Sequence, residues 1–151
     1  MRIRQATLAD LEIILHHRRS MFADMGYGDA AARETMVVAA RPFVEAGLKE
    51  GSYRGWLVEV DAHVVAGGGV AISGFQPTPM DSSPRRVWVV NVYTEPAFRR
   101  RGLARVVLDS ILTWCREEKL KVVFLHASDA GRSLYASLGF AATNEMRLVL
   151  D

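Results

Sequence analysis

The sequence predicts a single α/β domain of the α+β type, in which helices pack on a mixed β-sheet. The chain has 151 residues, half of them apolar, and about 100–200 residues is the usual size of one domain with its own core. Segments with apolar residues at helical spacing alternate with short segments rich in β-branched and aromatic residues. A predicted hairpin is antiparallel, whereas a later strand–helix–strand crossover is parallel, so the sheet is mixed. We therefore expect one domain over residues 1–151.

The first half of the chain is predicted to form a strand, two helices and a β-hairpin. Apolar residues recur at helical spacing on both sides of Gly26 and Gly28, which separate the two helices. β-Branched and aromatic residues then flank Asp61-Ala62, which is typical of two strands joined by a turn. The predicted bounds are Met1–Thr7 for the strand, about Thr7 to Met25 and Asp29–Ala46 for the helices, and Tyr53–Val60 and His63–Ser73 for the hairpin.

The second half is predicted to form a strand–helix–strand crossover, a short helix and a final strand. Val87–Thr94 is nearly all apolar, as in a strand that is covered on both faces. An apolar stripe with spacings of three and four predicts an amphipathic helix over about residues 101–118, with Cys115 on its buried side. The other predicted elements are a loop at Gly74–Pro84, a buried strand at Val122–Ala127, a short helix ending at Gly139 and a strand at Phe140–Leu150.

Composition excludes several classes of protein. No apolar run approaches the roughly 18–20 residues that cross a bilayer, so no membrane association is predicted. The net charge of +2 argues against a nucleic-acid partner. Cys115 is the only cysteine and no signal region opens the chain, which favours a cytoplasmic location. No group of His, Cys, Asp or Glu has metal-ligand spacing, so no metal is predicted.

Positive charge is concentrated in one part of the chain. Between Arg85 and Arg105 six arginines face a single acid, Glu95, which is a local net charge of +5. This cluster indicates one small anionic partner. The alternative is a solvated arginine patch without a ligand.

The segment Arg99–Ala104 (RRRGLA) lies where the buried strand turns directly into the amphipathic helix. The first turn of a helix presents unpaired N–H groups and the positive end of its dipole, which bind anions. Gly102 lacks a side chain that would keep an anion from the backbone, and Ala104 keeps the next turn small. These properties suit a pyrophosphate group. The segment is not a Walker loop, since no Gly-Lys-Ser/Thr follows, and it lacks a GxGxxG pattern.

The same segment resembles the acetyl-CoA motif of the GNAT superfamily of N-acetyltransferases, Arg/Gln-x-x-Gly-x-Gly/Ala after a strand. A second segment, Leu134–Phe140 (LYASLGF), is similar to the LYxxLGF pattern of that family. The resemblance covers about residues 87–140 and the order of elements, but it carries no information on the acceptor side, Met1–Pro84. It implies a mostly antiparallel sheet of six to seven strands with helices on both faces and two splayed central strands. The family also includes homodimers, which makes a homodimer an expectation.

The resemblance further implies how acetyl-CoA is held as a co-substrate. Strand backbone would pair with the pantetheine amides, and the loop would hold the pyrophosphate. Ser128 or Arg132 would replace an asparagine that the family commonly has before its last motif helix. The implied contact residues are Val92, Tyr93 and Thr94 in the strand, Arg99, Arg100, Arg101, Gly102, Leu103 and Ala104 in the loop, and Ser128 and Arg132.

Acetyl transfer needs a base to remove a proton from the attacking amine, because a lysine-type amine has a pKa of about 10.4. The departing thiolate, with a pKa of about 8.5, needs only modest help from an acid. Tyr135 matches the tyrosine that acts as the general acid in many relatives; the alternative is a packed aromatic residue. His126, near the end of a strand that should line the cleft, is the candidate base because histidine titrates near neutrality. The alternative is a histidine satisfied by backbone groups.

Four residues are candidates for binding the acceptor. Phe22 and Tyr27 lie at the break between the first two helices, and loops often carry specificity. Trp88 is a possible wall of the pocket, and Asn91 is a polar interruption of an apolar strand that would position a hydrogen bond. Core packing is the alternative for Phe22 and Trp88.

We therefore expect an acetyl-CoA-dependent N-acetyltransferase in which a primary amine, small or on a peptide, attacks directly in a ternary complex. No covalent intermediate is expected, because Cys115 lies on the buried side of its helix. Two alternatives stay open. One is a non-catalytic acyl-CoA-binding or regulatory module, and the other is a nucleic-acid-binding protein that uses the arginine cluster.

Overall fold

A computed structural model describes residues 1–151 as a five-stranded sheet with four helices. The strands are β1 (Arg2–Gln5), β2 (Tyr53–Val60), β3 (His63–Gly74), β4 (Arg85–Thr94) and β5 (Val123–Phe124). The helices are α1 (Leu11–Asp24), α2 (Ala30–Glu50), α3 (Leu103–Glu117) and α4 (Arg132–Ser137). Short 3₁₀ turns at Leu8–Asp10 and Pro96–Phe98 precede α1 and α3.

The strands follow each other across the sheet in chain order, from β1 to β5. The first three neighbouring pairs are antiparallel, and β4 pairs with β5 in parallel through the α3 crossover. The predicted mixed, mostly antiparallel sheet is confirmed. The hairpin is also found where it was predicted, and Asp61 and Ala62 both have positive φ in its turn, as tight hairpin turns require.

Helices cover both faces of the sheet. The apolar stripe of α3 packs on one face, where it forms the larger core cluster with residues of β2, β3 and β4. The helices α1 and α2 pack on the other face around Leu15, Val37, Val44 and Tyr53. Cys115 is buried in the α3 cluster, as the helical spacing predicts. No helix combines the length and apolarity that crossing a membrane requires.

The predicted end of α2 near Ala46 is wrong. The helix continues to Glu50 and ends at Gly51, which has a φ of 89°. Gly47, which resembles a helix stop in the sequence, lies inside the helix against the start of β2. A Cβ atom at Gly47 would lie 2.5 Å from Cβ of Tyr53, so the glycine allows close packing instead of ending the helix.

The prediction of six to seven strands is also wrong, because the final strand at Phe140–Leu150 does not form. Residues 141–151 are exposed and make no backbone hydrogen bond. An extended segment becomes a strand only by pairing with a neighbour, and this segment has none in the chain. The strand predicted at Val122–Ala127 is shortened to Val123–Phe124 and is half-exposed instead of buried.

Candidate functional site

A gap opens between β4 and β5. The two strands pair only at Val87 with Val123 and at Trp88 with Phe124. Beyond Trp88 this edge of β4 has no neighbouring strand, so the predicted cofactor residues Val92–Thr94 lie in its unpaired part. Apart from the Thr94 carbonyl, which accepts a hydrogen bond from Nε of Arg99, the backbone there is available to pair with an extended ligand.

A β-bulge at Asn91 lies at the same place. The register of β3 with β4 jumps from Gly67 opposite Tyr93 to Gly69 opposite Val90, and Asn91 has a φ of 58°. Asparagine tolerates this left-handed conformation better than most residues. The bulge turns Val90 and Asn91 toward the same face, where α1 and α2 pack. A polar side chain therefore enters the face that sequence spacing alone assigns to apolar residues.

Two hydrogen bonds hold the Asn91 side chain. Its Nδ2 donates to the hydroxyl of Tyr53 at 2.9 Å, and its Oδ1 accepts from Nη1 of Arg18 at 2.9 Å. Asn91 and Tyr53 are each 3% exposed. Burial raises the pKa of Tyr53 to about 12, so its hydroxyl stays protonated at neutral pH. These bonds fix a chain of polar groups from α1 through β4 to β2.

Arg18 has no acidic partner. No carboxylate lies within 4.0 Å of its guanidinium, whereas the adjacent Arg19 pairs with Glu34 at 2.6 Å. The guanidinium also lies 4.9 Å from the ring centre of Phe22, and partial burial lowers the pKa of Arg18. A partly desolvated cation without a counter-ion favours an anionic ligand beside it. Phe22 in turn contacts Tyr27, with ring centres 5.5 Å apart.

Three aromatic rings stack at the start of the gap. The ring centre of Trp88 lies 5.1 Å from Phe124 and 4.9 Å from His126, with nearly parallel planes. His126 is exposed, and its Nε2 contacts a carboxylate oxygen of Glu145 at 2.9 Å. The structure thus joins two predicted site residues, Trp88 and His126, which the sequence assigned to separate roles.

The loop before α3 presents free N–H groups. Arg100 and Gly102 have φ values of 60° and 76°, and no side chain caps the helix at Gly102. The N–H groups of Leu103, Ala104 and Arg105 have no acceptor in the chain. A Cβ atom at Gly102 would meet nothing within 4 Å, so the space above these groups is open. This arrangement fits an anion at a helix N-terminus.

The arginines of this loop differ in their contacts. Arg99 donates to the Thr94 carbonyl at 2.9 Å and pairs with Asp24 at 2.6 Å, so its side chain is turned toward α1. Arg101 lies over the ring of Phe98 at 5.1 Å, and Arg100 makes no side-chain contact with an acid. Arg100 and Arg101 are exposed and remain free to neutralise a ligand.

Tyr135 lies at the centre of α4 and packs against the core cluster of α3. Its ring packs edge-on against Phe140 with centres 6.0 Å apart, and its hydroxyl makes no hydrogen bond in the chain. Burial raises the pKa of Tyr135. A Cβ atom at Gly131 would lie 2.8 Å from Cε2 of Tyr135, so the glycine provides room for the ring. Tyr135 shares no hydrogen bond or ring contact with His126.

Ser128 and Arg132 flank the start of α4. The Oγ of Ser128 accepts a hydrogen bond from the N–H of Gly131 at 3.1 Å, so its hydroxyl stabilises the turn. Arg132 is exposed and makes no side-chain hydrogen bond. Of the two predicted substitutes for the family asparagine, only Arg132 has a side chain without a partner.

His17 is a buried residue that the sequence did not single out. It is 1% exposed beside Tyr93, with ring centres 5.3 Å apart, and its Nε2 has no hydrogen-bond partner. Burial lowers its pKa to about 4, so the ring is neutral at pH 7. Arg18 and Tyr53 were likewise missed, because no local pattern marks residues that meet only through the bulge.

Comparisons with known proteins give a consistent result. The sequence model of the acetyltransferase (GNAT) family matches residues 17–140. The crystal structure of a GCN5-related N-acetyltransferase from Ralstonia eutropha JMP134 is similar, with 29% identity, a TM-score of 0.94, and alignment over 99% of this chain and 97% of that chain.

Two further solved structures share the fold. A predicted acetyltransferase with acetyl-CoA from Clostridium acetobutylicum is 24% identical, with a TM-score of 0.88 over 99% of this chain and 95% of that chain. An aminoglycoside 6'-N-acetyltransferase from Acinetobacter haemolyticus is 19% identical, with a TM-score of 0.72 over 100% of this chain and 98% of that chain. Comparison with curated proteins gives no match.

Proposed function

Since the chain belongs to the GNAT acetyltransferase family, we propose that it transfers the acetyl group of acetyl-CoA to a primary amine, which attacks directly in a ternary complex. One observation carries the proposal: the unpaired edge of β4 leads into the uncapped N-terminus of α3. An extended ligand that ends in a pyrophosphate needs an open strand edge for its extended part, followed by free N–H groups for its pyrophosphate.

The residues fit such a ligand. Val92–Thr94 would bind the pantetheine through their backbone, and the free N–H groups of Leu103 and Ala104 would bind the pyrophosphate. Gly102 leaves the loop open, and Arg100 and Arg101 add positive charge. Arg99 would position the loop instead of contacting the ligand, because its side chain donates hydrogen bonds to the Thr94 carbonyl and the Asp24 carboxylate. Arg132 and, through its turn, Ser128 would complete the site.

Acetyl-CoA supplies a thioester, so the reaction forms a C–N bond to the amine and breaks the C–S bond. Tyr135 would give its hydroxyl proton to the departing sulfur. Two observations support this role: the hydroxyl has no competing partner in the chain, and burial raises its pKa and keeps it protonated. Cys115 is buried and its pKa is raised to about 11, which does not suit a nucleophile.

His126 would accept the proton that the amine loses. It is exposed on the Trp88 ring at the start of the gap, and Glu145 at 2.9 Å would orient its imidazole and stabilise the cation. Because Tyr135 and His126 share no contact, each proton would move to or from the substrates and not between the two side chains.

The acceptor would bind on the α1 side of β4. Trp88 and Asn91 would form its floor, and Phe22 and Tyr27 its outer wall. Arg18 contacts two of these residues, Asn91 and Phe22, and would attract an anionic group on the acceptor. A cytoplasmic location and the absence of a nucleic-acid partner remain expectations from composition.

A panel of amines tests the proposal. We expect the protein to release free thiol from acetyl-CoA only when an amine is present, and mass spectrometry to detect the acetylated amine. Stabilisation by acetyl-CoA with no thiol release across the panel would instead identify a non-catalytic acyl-CoA-binding module. Binding of nucleic acid that acetyl-CoA does not compete with would favour the arginine-patch alternative.

A further inference from the structure

The charges around α1 and the end of β4 leave Arg18 without a counter-ion. Each acid on α1, on the break that follows it and at the end of β4 already has a partner in the chain. The partners are Arg41 for Glu12, Arg99 for Asp24, His16 for Glu95 and the N–H of Ala32 for Asp29. Arg18 lies among these groups, and its only side-chain hydrogen bond goes to an uncharged amide. This part of the surface therefore has an unpaired positive charge and no unpaired negative one.

Arg18 keeps free donors that a ligand can reach. Nη1 donates to Oδ1 of Asn91 at 2.9 Å, and the other N–H groups of the guanidinium have no acceptor in the chain. The only fully buried side-chain nitrogen or oxygen without a partner is Nε2 of His17, so the free nitrogens of Arg18 are accessible. Asn91 is itself held by the hydroxyl of Tyr53 at 2.9 Å. The guanidinium is therefore fixed in place before a ligand binds, which lowers the entropy cost of binding.

A single free guanidinium suits a carboxylate. Its planar fork of N–H groups matches the two oxygens of a carboxylate, and the charges cancel. A phosphate monoester carries about 1.5–2 negative charges and needs a second cation. The neighbouring cations are not free for this purpose, because His16 pairs with Glu95 and Arg19 pairs with Glu34. A polycationic amine such as an aminoglycoside would meet the charge of Arg18 and no unpaired acid beside it.

Arg18 and the candidate base His126 are on the same face of the sheet. Val87 and Val89 belong to the core under α3, so Trp88 between them faces the opposite side, and His126 stacks on its ring. The bulge directs Asn91 to this side as well, where it meets Arg18. Trp88 and Asn91 are three positions apart, and three residues of a strand span about 10 Å. A carboxylate on Arg18 and an amine at His126 would therefore belong to one small molecule.

Building on the proposed function, we propose that the acceptor is a free amino acid with an apolar side chain, whose carboxylate binds Arg18 and whose amine faces His126. The rings of Phe22, Tyr27 and Trp88 provide apolar contacts for the side chain. The amine attacks the thioester carbonyl, so an amide C–N bond forms and the C–S bond breaks. His126 takes the proton of the amine and the thiolate takes the proton of Tyr135. The products are an N-acetyl amino acid and CoA.

Phenylalanine and phenylalaninamide are matched acceptors that differ only in the carboxylate. Without the nearby negative charge the amine of the amide has a lower pKa, so more of it is neutral and able to attack. A preference for phenylalanine therefore cannot come from the reactivity of its amine. We expect kcat/KM of the wild type to be about tenfold or more higher for phenylalanine than for the amide, the value of a charge-assisted hydrogen bond.

Two variants of Arg18 assign this preference. Arg18→Gln removes the charge and should abolish the preference, whereas Arg18→Lys keeps the charge without the planar fork and should retain part of it. An unchanged circular dichroism spectrum and an unchanged affinity for acetyl-CoA show that each variant is folded. A preference for phenylalanine that survives in Arg18→Gln would overturn the assignment of Arg18.

Calorimetry with 3-phenylpropanoate, which has the carboxylate but no amine, tests the site without catalysis. With CoA bound, we expect saturable binding to the wild type and to Arg19→Met, whose arginine is already paired with Glu34, and none to Arg18→Gln. Absence of binding to the wild type would overturn the proposal. Thiol release that is equal for phenylalanine and its amide would also overturn it, while the proposed acetyl transfer would stand. Binding of 3-phenylpropanoate through Arg18 without thiol release for any amine would support the carboxylate site and contradict acetyl transfer.

Discussion

The side-chain amide of Asn91 donates a hydrogen bond of 2.9 Å to the buried hydroxyl of Tyr53. This bond joins the bulge of β4 to the first residue of β2 and fixes the orientation of the amide, whose oxygen then accepts from Arg18. The polar groups of the acceptor side thus depend on a hydroxyl that lies in the core.

Replacement of Tyr53 by Phe should lower the free energy of unfolding by about 1–3 kcal/mol, because a buried N–H donor of Asn91 loses its acceptor. Urea unfolding measures the change. Tyr27→Phe removes an exposed hydroxyl and should leave stability within about 0.5 kcal/mol of the wild type. Equal stability of the two variants would show that the Tyr53 hydroxyl bond contributes nothing.

Arg18→Met should raise the KM for the acceptor and leave the affinity for acetyl-CoA unchanged, since Arg18 contacts Asn91 and Phe22 on the acceptor side. The increase in KM should be greatest for amines that carry a carboxylate. It should be about tenfold or more, because these amines would lose a charge-assisted hydrogen bond. Arg19→Met removes the neighbouring arginine, which is already paired with Glu34, and should have no such effect. If both variants behave alike, Arg18 has no specific part in acceptor binding.

Tyr135→Phe should lower kcat by up to about 100-fold, the low end for a general acid, since a thiolate leaves readily. The dissociation constant for acetyl-CoA should not change, because the hydroxyl makes no structural hydrogen bond. Because burial raises the pKa of Tyr135, its protonation should not limit the rate below about pH 10. An unchanged kcat would remove Tyr135 from the mechanism.

Stability should fall in mild acid because His17 is buried as a neutral ring. Its pKa is about 4 in the folded chain against an ordinary value of 6.5, so between these values only the unfolded chain takes up the proton. The free energy of unfolding should therefore decrease from pH 6.5 to pH 4 by about 3 kcal/mol and then level off for this group.

Urea unfolding of His17→Phe at several pH values checks this assignment. The variant cannot titrate at this position and should lose most of the slope between pH 6.5 and pH 4. His63→Ala, a change at an exposed histidine of the hairpin, should keep the slope. A slope that survives in His17→Phe would assign the acid sensitivity to other groups.

Local patterns predicted much of the fold and the loop before α3. The stripe on α3 and the turn at Asp61 and Ala62 depend on residues close together in sequence, so the sequence alone predicts them. The RRRGLA segment is similarly compact, and its free N–H groups follow from its place at the start of a helix.

The acceptor side depends on distant residues and could not be predicted in the same way. Arg18 meets Asn91 across 73 positions, and Asn91 meets Tyr53 across 38. Both contacts exist only because a bulge turns Asn91 toward α1, and strand alternation does not reveal a bulge. The last segment has the composition of a strand, but composition does not say whether a pairing partner lies in the same chain.

The most direct test of the central claim is amine-dependent release of free thiol from acetyl-CoA by the wild type and by two glycine variants. Gly102 and Gly26 both have positive φ with open space where a Cβ would lie, but only Gly102 adjoins the free N–H groups of α3. We predict thiol release by the wild type and by Gly26→Glu, and loss of both acetyl-CoA binding and thiol release in Gly102→Glu. Undiminished thiol release by Gly102→Glu would contradict the assignment of this loop as the site of the acetyl donor.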